Sequence, residues 1–404
     1  MSVEGGAMRV AHYLPSIVLA EGGVVRAVLD MAGGLASRGH RVDLITCNPA
    51  DVPAEWKAGK PLCPRVLTVD APLFDGGLLP AAAIRKAEPI FREADVVHLH
   101  AMWTTSNLQF ARLSRRHRKP YILSVHGMLD DWCMAQRTLK KRLYLSIAGS
   151  RLLHDARFVH CTAEAELQQS VKFFPADRGR VIPLVFDTAP FQHLPGPERA
   201  REKFGVPVGI KFNDPTNINV LFLSRIHPKK GCEKLLETAR ILSERLEGAG
   251  RTLRVFFAGT GDAEYVEEIK ARAQALGLGE RAKFLGMVTG ADKLALFEAC
   301  DLFVLPTSQE NFGFVFFEAM ACRTPVVTTR GVDVWPELEA SAGARIIDPY
   351  PPSLADAVAA LINDGSLLRR MGEAGREWTF GYLSASRTID RFESMYAAAI
   401  GRGT

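Results

Sequence analysis

Two doubly wound α/β domains in tandem are the fold this sequence predicts, on three observations. The chain has 404 residues, too many for one ordinary hydrophobic core. Short β-branched runs alternate with helical periods, the pattern of a parallel sheet covered on both faces. One Pro- and Gly-bearing stretch, "DTAPFQHLPGPERAREKFGVPVG" (187–209), interrupts that rhythm before it restarts, as at a linker. An apolar content of 47% against 24% charged residues excludes a disordered chain. No run approaches about eighteen uninterrupted apolar residues, the length of a membrane span.

In chain order, the first half offers strands at 9–15, 41–47, 95–100, 121–127, 158–163 and 181–184, with a helix near 24–38. The second half offers strands at 219–225, 253–259, 282–288, 301–307, 325–329 and 344–348, then helical periodicity through the last thirty residues. Domains are expected over 1–195 and 196–380, with a terminal helix over 381–404. Ligands of such sheets bind at the carboxyl ends of the strands, so the expected site is a cleft between two domains that face one another.

The N-terminal "MSVEGGAMRVAHYLPS" has no basic region followed by an apolar one, which argues against a leader peptide. Seven cysteines, an odd number with no CxxC, suit a reducing cytoplasm and small core positions rather than disulfides or zinc. Residues 1–190 hold 24 Lys+Arg against 18 Asp+Glu, whereas the remainder hold 26 against 27. The excess lies in "ARLSRRHRKP" (111–120) and "QRTLKKRLYL" (136–145). These runs are either solvated helix faces or a contact for an anionic membrane at its inner, cytoplasmic face. Nucleic acid is not expected as a partner, because no zinc finger, helix-turn-helix or RNP-like aromatic motif accompanies the charge.

Several stretches could hold phosphate. Gly22 and Gly23 in "LAEGGVVRAVL" lie between a strand and a helix, where backbone can approach an anion, although a tight turn needs them equally. "AGTGDAEY" (258–265) lacks the third glycine of a dinucleotide fingerprint and reads as a strand-to-helix turn. In "FLSRIHPKKG" (222–231), Arg225 ends a strand and Lys229 and Lys230 lie where the next helix opens. Such a pair can clamp a diphosphate, Arg as a fork and Lys as a point charge.

"TSQENFGFVFFEAMAC" (307–322) adds two carboxylates to an apolar helix. With Asn311 as its cap, the N–H groups of Phe312, Gly313 and Phe314 would face an anion, Gly313 leaving room for it. Glutamates repel phosphate, so they must serve something else. Glu318 lies five residues past Gly313, roughly 7–8 Å along the helix, about the reach from a diphosphate to its ribose diol. Glu310, on the other side, would meet a sugar. The alternative is that both glutamates pair with Lys or Arg for structure.

The stretch "ENFGFVFFE…AMACRTPVV" resembles the E-x7-E motif of the family 4 retaining glycosyltransferases of GT-B fold. Similar to that family, in the same order, are "EGGVVR", "SVHGM", the SEAE-like "CTAEAEL" and "SRIHPKKG", together spanning nearly the whole chain. The resemblance implies a nucleotide-sugar donor, UDP- or GDP-linked, and a glycan or lipid-linked saccharide acceptor. It implies no cofactor and no metal. Donor-side residues by this resemblance are Gly22, Gly23, Arg225, Lys230, Val288, Glu310, Asn311, Phe312, Gly313, Phe314 and Glu318. His126, Arg225, Lys230 and Glu310 carry the chemistry, with His126 near the sugar and leaving oxygen. A histidine after a strand is as often a buried core residue or helix cap. The terminal helix is expected to cross back onto the N-terminal domain. Two departures stand out: Arg323 replaces a frequent glycine, and "RGVDVWPEL" replaces a second Gly-rich turn, which bears on the edge of the donor pocket. "HGMLDDW" resembles bacterial enzymes that build surface polysaccharide; Asp130 and Asp131 are adjacent rather than a DxD and suit a helix cap better than a metal. A GT-B phosphorylase, an epimerase and a non-catalytic nucleotide-sugar sensor are the alternative functions.

Overall fold

The computed structural model describes residues 6–401 apart from 75 and 137. The first five residues of the N-terminal stretch and Arg137 of the second basic run therefore lie outside the described residues. The chain divides into two units, Met1–Phe186 with Ala385–Thr404, and Asp187–Ser384.

Unit 1 carries β1 (Arg9–Tyr13), β2 (Arg41–Thr46), β3 (Arg65–Thr68), β4 (Val96–His100), β5 (Tyr121–Ser124), β6 (Phe158–Cys161) and β7 (Gly179–Val181). They form one parallel sheet in the order β3-β2-β1-β4-β5-β6-β7, so the chain reverses direction of winding between β1 and β4. Alternate residues feed opposite faces: Val10 joins a core with Leu35, Phe392 and Tyr396, while Ala11 and Tyr13 join one with Phe91, Phe110 and Leu123. The helix Ala385–Ala399 belongs to this unit because Ile389, Phe392 and Tyr396 recur at helical spacing and bury against the sheet. Arg38 fixes its start, donating to Asp390 at 2.5 Å, Glu393 at 2.8 Å and the Ser386 carbonyl at 2.7 Å.

Unit 2 carries β8 (Asn217–Leu223), β9 (Thr252–Ala258), β10 (Ala282–Gly286), β11 (Leu302–Leu305), β12 (Val326–Thr329) and β13 (Ala344–Ile347). This sheet is also parallel, in the order β10-β9-β8-β11-β12-β13, with its switch point between β8 and β11. Each unit is thus a doubly wound Rossmann-like domain.

Three local expectations need correction. β3 was not foreseen, because its four residues are exposed or half-buried and follow Pro64. The strand expected at 181–184 forms earlier, at Gly179–Val181. The stretch 187–209 is no plain linker; it holds the helix Glu198–Phe204 and is built into unit 2. Arg199 and Lys203 both pair with Asp292 at 2.5 Å, and the Gly196 N–H donates to Glu298 at 2.8 Å. The division accordingly falls after Phe186, and the returning helix begins at Ala385.

Candidate functional site

Two loops at the carboxyl ends of β8 and β11 meet at the switch point of unit 2. After β8 the chain is pinned against the end of β9, with the Ser224 N–H on the Ala258 carbonyl at 3.1 Å and the Ile226 N–H on Thr260 at 2.9 Å. A Cβ at Gly259 would lie 1.9 Å from the Ser224 carbonyl, so the "AGTG" glycines serve close packing in a turn. His227 then accepts from the Lys229 N–H at 3.2 Å and starts the 3-10 turn Pro228–Lys230, after which Gly231 opens the helix Cys232–Glu247. Burial, with Lys229, Arg225 and Lys230 adding to it, lowers the pKa of His227. The loop is therefore electropositive. Arg225 is exposed and has no carboxylate partner among the described residues.

The β11 loop is tied to this one by its backbone. The Lys229 carbonyl accepts from Thr307 Oγ1 at 3.0 Å and from the Ser308 N–H at 2.8 Å. Lys230, only 4% exposed, places its Nζ on Glu310 Oε2. Glu310 is held in turn by the departing segment "RGVDV": its N–H donates to the Gly331 carbonyl at 2.8 Å, and its carbonyl accepts from Asp333 at 2.9 Å. That unfamiliar segment is thus the support of Glu310.

The helix itself differs from expectation at its start. It spans Phe314–Ala321, and Gly313 is its cap residue. Asn311 does not cap it; its amide donates to Asp333 Oδ2 at 2.9 Å. The N-terminal N–H set accordingly begins at Phe314, and Phe312 is buried against Phe314 and Phe317. Gly313 has φ +62°, and a Cβ there would lie 2.5 Å from the Phe316 ring and 3.0 Å from Glu310 Cγ. Its need for glycine is therefore backbone conformation and the closeness of Glu310, besides any room for an anion.

Both glutamates do pair with lysines, Glu310 with Lys230 and Glu318 with Lys293 at 2.7 Å. Each pair occupies one carboxylate oxygen. Glu310 Oε1 and Glu318 Oε2 make no hydrogen bond among the described residues, which leaves each an acceptor for a hydroxyl.

His126 stands in unit 1, just after β5, at φ +49°, a region that non-glycine residues seldom enter. Burial lowers its pKa to about 3, with His160 contributing, so the ring is neutral. Glu166 of "CTAEAEL", fully buried, joins this turn and was not among the expected site residues. One of its oxygens accepts from the Gly127 N–H, and the other from the Thr162 N–H at 2.5 Å and hydroxyl at 2.7 Å. It pins the turn that carries His126. An acid five residues beyond the end of β6, inside "CTAEAEL", was the available signal.

Other expected positions do not join the Lys230–Glu310 loops. Gly22 and Gly23 belong to unit 1, where Gly22 has φ +121° and ψ −164° at the start of the helix Gly23–Ser37, with nothing within 4 Å of a Cβ on either. Val288 is buried beyond the edge strand β10, two strands from β8. Asp130 caps the helix Asp131–Ala135 through the Cys133 N–H, and Asp131 pairs with Lys172. Arg323 has φ +59° just past the end of the Glu318 helix, a left-handed position that explains a preference for glycine there. It pairs with Glu373 at 2.8 Å, so this departure concerns the far end of the helix and not its glutamates.

Residues 22–184 match the Glycosyl transferase 4-like domain, and residues 210–378 match Glycosyl transferases group 1. A D-inositol 3-phosphate glycosyltransferase of Nocardia farcinica is 29% identical over 402 residues, covering 94% of this chain and 85% of its own. That of Corynebacterium efficiens is 28% identical over 316 residues, covering 76% and 72%. Among solved structures, Anabaena HepE in complex with UDP superposes with a TM-score of 0.77 at 20% identity, covering 97% of this chain and all of that one. WaaG, a glycosyltransferase involved in lipopolysaccharide biosynthesis, gives 0.66 at 19%, covering 94% and 98%.

Proposed function

We propose, for a chain that belongs to the glycosyltransferases of GT-B fold through both of its units, that it is a retaining enzyme using a nucleotide-sugar donor. The sugar passes from a UDP- or GDP-linked donor to a hydroxyl of a glycan or lipid-linked saccharide. One observation carries this reading: a buried lysine and a carboxylate with one oxygen to spare meet where the β8 and β11 loops join. The lysine suits a diphosphate, and the spare oxygen suits the sugar attached to it. HepE, solved with UDP, supports a nucleotide donor by likeness of fold.

In this mechanism the sugar–phosphate bond breaks with oxocarbenium character, and negative charge grows on the leaving diphosphate. Lys230, Arg225 and the start of the helix Phe314–Ala321 stabilise that charge as groups already in place. The acceptor attacks from the face the diphosphate leaves, and a diphosphate oxygen takes its proton, which preserves the anomeric configuration. Glu310 Oε1 holds sugar hydroxyls, and Glu318 Oε2 holds the ribose. His126 keeps the place near the sugar that the family resemblance implies.

Incubation with UDP- and GDP-sugars, with and without saccharide acceptors, tests the reading. Acceptor-dependent release of nucleoside diphosphate is expected, and it should survive EDTA. Release dependent on inorganic phosphate would indicate a phosphorylase, and interconversion without acceptor an epimerase. An inositol phosphate arm covers the acceptor named for the inositol phosphate relatives.

The same protein should bind anionic membrane through unit 1. Arg112, Arg115 and Arg116 of the first basic run, with Arg151, line a cavity of about 510 Å³ beside Ile147 and a single acid, Asp155. Leu139, Leu143 and Ile147 are exposed at one-turn intervals beside Lys140 and Arg142. Apolar side chains framed by cations fit an acidic lipid surface. No helix among the described residues is long and apolar enough to cross a membrane. Flotation with phosphatidylserine-containing vesicles should recover the protein at low salt and release it at high salt. Leu143→Glu with Ile147→Glu should abolish recovery. Equal recovery with neutral vesicles would reduce these residues to ordinary surface.

A further inference from the structure

Histidines occupy the carboxyl halves of four adjacent strands of unit 1 or the turn just after them, and parallel register stacks them in a row. His12 on β1 lies opposite His98 on β4, and His100 lies opposite Ser124 on β5, itself opposite His160 on β6. His126 follows β5.

One hydrogen-bonded chain in this row has a direction set by its end. His160 Nε2 lies 2.8 Å from the Ile182 carbonyl, which only accepts, so Nε2 carries the proton. The neutral ring then accepts at Nδ1 from the Ser124 hydroxyl at 2.6 Å. Ser124 accepts from His98 Nε2 at 2.7 Å, and His98 Nδ1 accepts from the Tyr396 hydroxyl at 2.7 Å. This chain ties the helix Ala385–Ala399 to the sheet.

The second chain runs from His12 through His100 to His126. His12 Nδ1 lies 3.0 Å from His100 Nε2, and His100 Nδ1 lies 3.3 Å from His126 Nε2. His12 Nε2 is buried without a partner. If the protons pointed toward His12, that atom would be a buried N–H donating to nothing. If they point toward His126, it is only a lone pair left unfilled, the commoner kind of orphan in folded proteins. His12 then donates to His100, and His100 donates to His126 Nε2. His126 must carry its own proton on Nδ1, which makes no hydrogen bond among the described residues.

We propose that His12 and His100 are positioning residues that hold His126 as its Nδ1–H tautomer, a standing donor for a substrate oxygen. The claim rests on the reading of His126 as a residue near the sugar. Its frame is hydrogen-bonded: Asn107 donates to the His100 and Ala101 carbonyls at 3.0 and 2.6 Å, and Glu166 accepts from the Gly127 N–H. Burial keeps all three imidazoles neutral, as the relay requires.

Long-range 1H–15N correlation on protein labelled in histidine reads the tautomer directly, with His126 assigned by its loss in His126→Gln. The expected pattern at neutral pH is a protonated Nδ1 and an unprotonated Nε2 on His126. His12→Gln, which still offers a donor to His100, should preserve the pattern. His12→Phe should give a mixture of tautomers and lower kcat several-fold while leaving the donor KM in place. A wild-type His126 protonated at Nε2 would overturn the proposal whatever the turnover. So would saturable Zn²⁺ binding by His12, His98 and His100, whose nitrogens lie within 4.8 Å of one another, since a metal takes the lone pairs the relay uses. An Nδ1–H tautomer in a protein whose His126→Gln variant retains full turnover would uphold the relay and contradict the substrate role of His126.

Discussion

Lowering the pH from 7.5 to 5.5 should cost unit 1 roughly 4 kcal/mol of stability or more and leave unit 2 folded. His12, His98, His100, His126 and His160 are all buried with pKa values lowered by that burial, to about 3 for His12 and His126 and about 4 for His160. In the unfolded chain each titrates near 6.5. Below pH 6.5 the unfolded state therefore binds more protons than the folded state, and stability falls as pH falls. The penalty is absent above 6.5 and grows until the folded values are reached. One pH unit below 6.5, His12, His126 and His160 together cost about 4 kcal/mol, and His98 and His100 add to this in the same direction, a large share of the stability of a typical domain. Hydrogen exchange followed along a pH series separates the units. Amides of β1, β4, β5 and β6 should lose protection near pH 5.5 while those of β8 and β11 keep it. Equal protection of both sheets across that range would show that the histidine row is not neutral and buried as described.

Lys230→Ala should lower turnover by about 10²- to 10³-fold, the usual result of removing one fixed group from a developing negative charge. The fold should survive, because the carboxylate left behind is not sealed in: the Glu310 side chain is 26% exposed in its pair with Lys230. The substitution should also weaken nucleoside diphosphate binding, by about tenfold or more for a lost charged hydrogen bond. Turnover within threefold of the wild type would remove Lys230 from the mechanism.

What was legible beforehand was whatever lies contiguous in the chain. Glu310, Gly313 and Glu318 share one loop and helix, so their spacing announced them. Alternation of strands and helices likewise announced both sheets. The support of those residues was not legible, because it comes from elsewhere: Lys293 lies 25 residues from Glu318, and Asp333 lies 22 from Asn311. The histidine row was visible only as single histidines in "RVAHY", "SVHG" and "FVHC" and a pair in "VVHLH". Nothing local says that parallel register will bring His12 and His100, 88 residues apart, into one hydrogen bond. Asn311 misled because a cap-forming residue just before an apolar run is the usual start of a helix, whereas here Asp333 claims its amide and a left-handed glycine turns the chain.

The central claim is that Glu318 and Glu310 hold different parts of one nucleotide-sugar. Calorimetry with UDP and GDP, beside turnover with the full donor, tests it most directly. Glu318→Ala should weaken diphosphate binding by roughly 10- to 150-fold, as loss of the ribose hydrogen bonds predicts. Glu310→Ala should leave diphosphate affinity nearly unchanged while turnover falls, because its free oxygen meets only the sugar. Equal loss of diphosphate affinity in both variants, or full turnover in either, would mean that the two glutamates serve only their lysines.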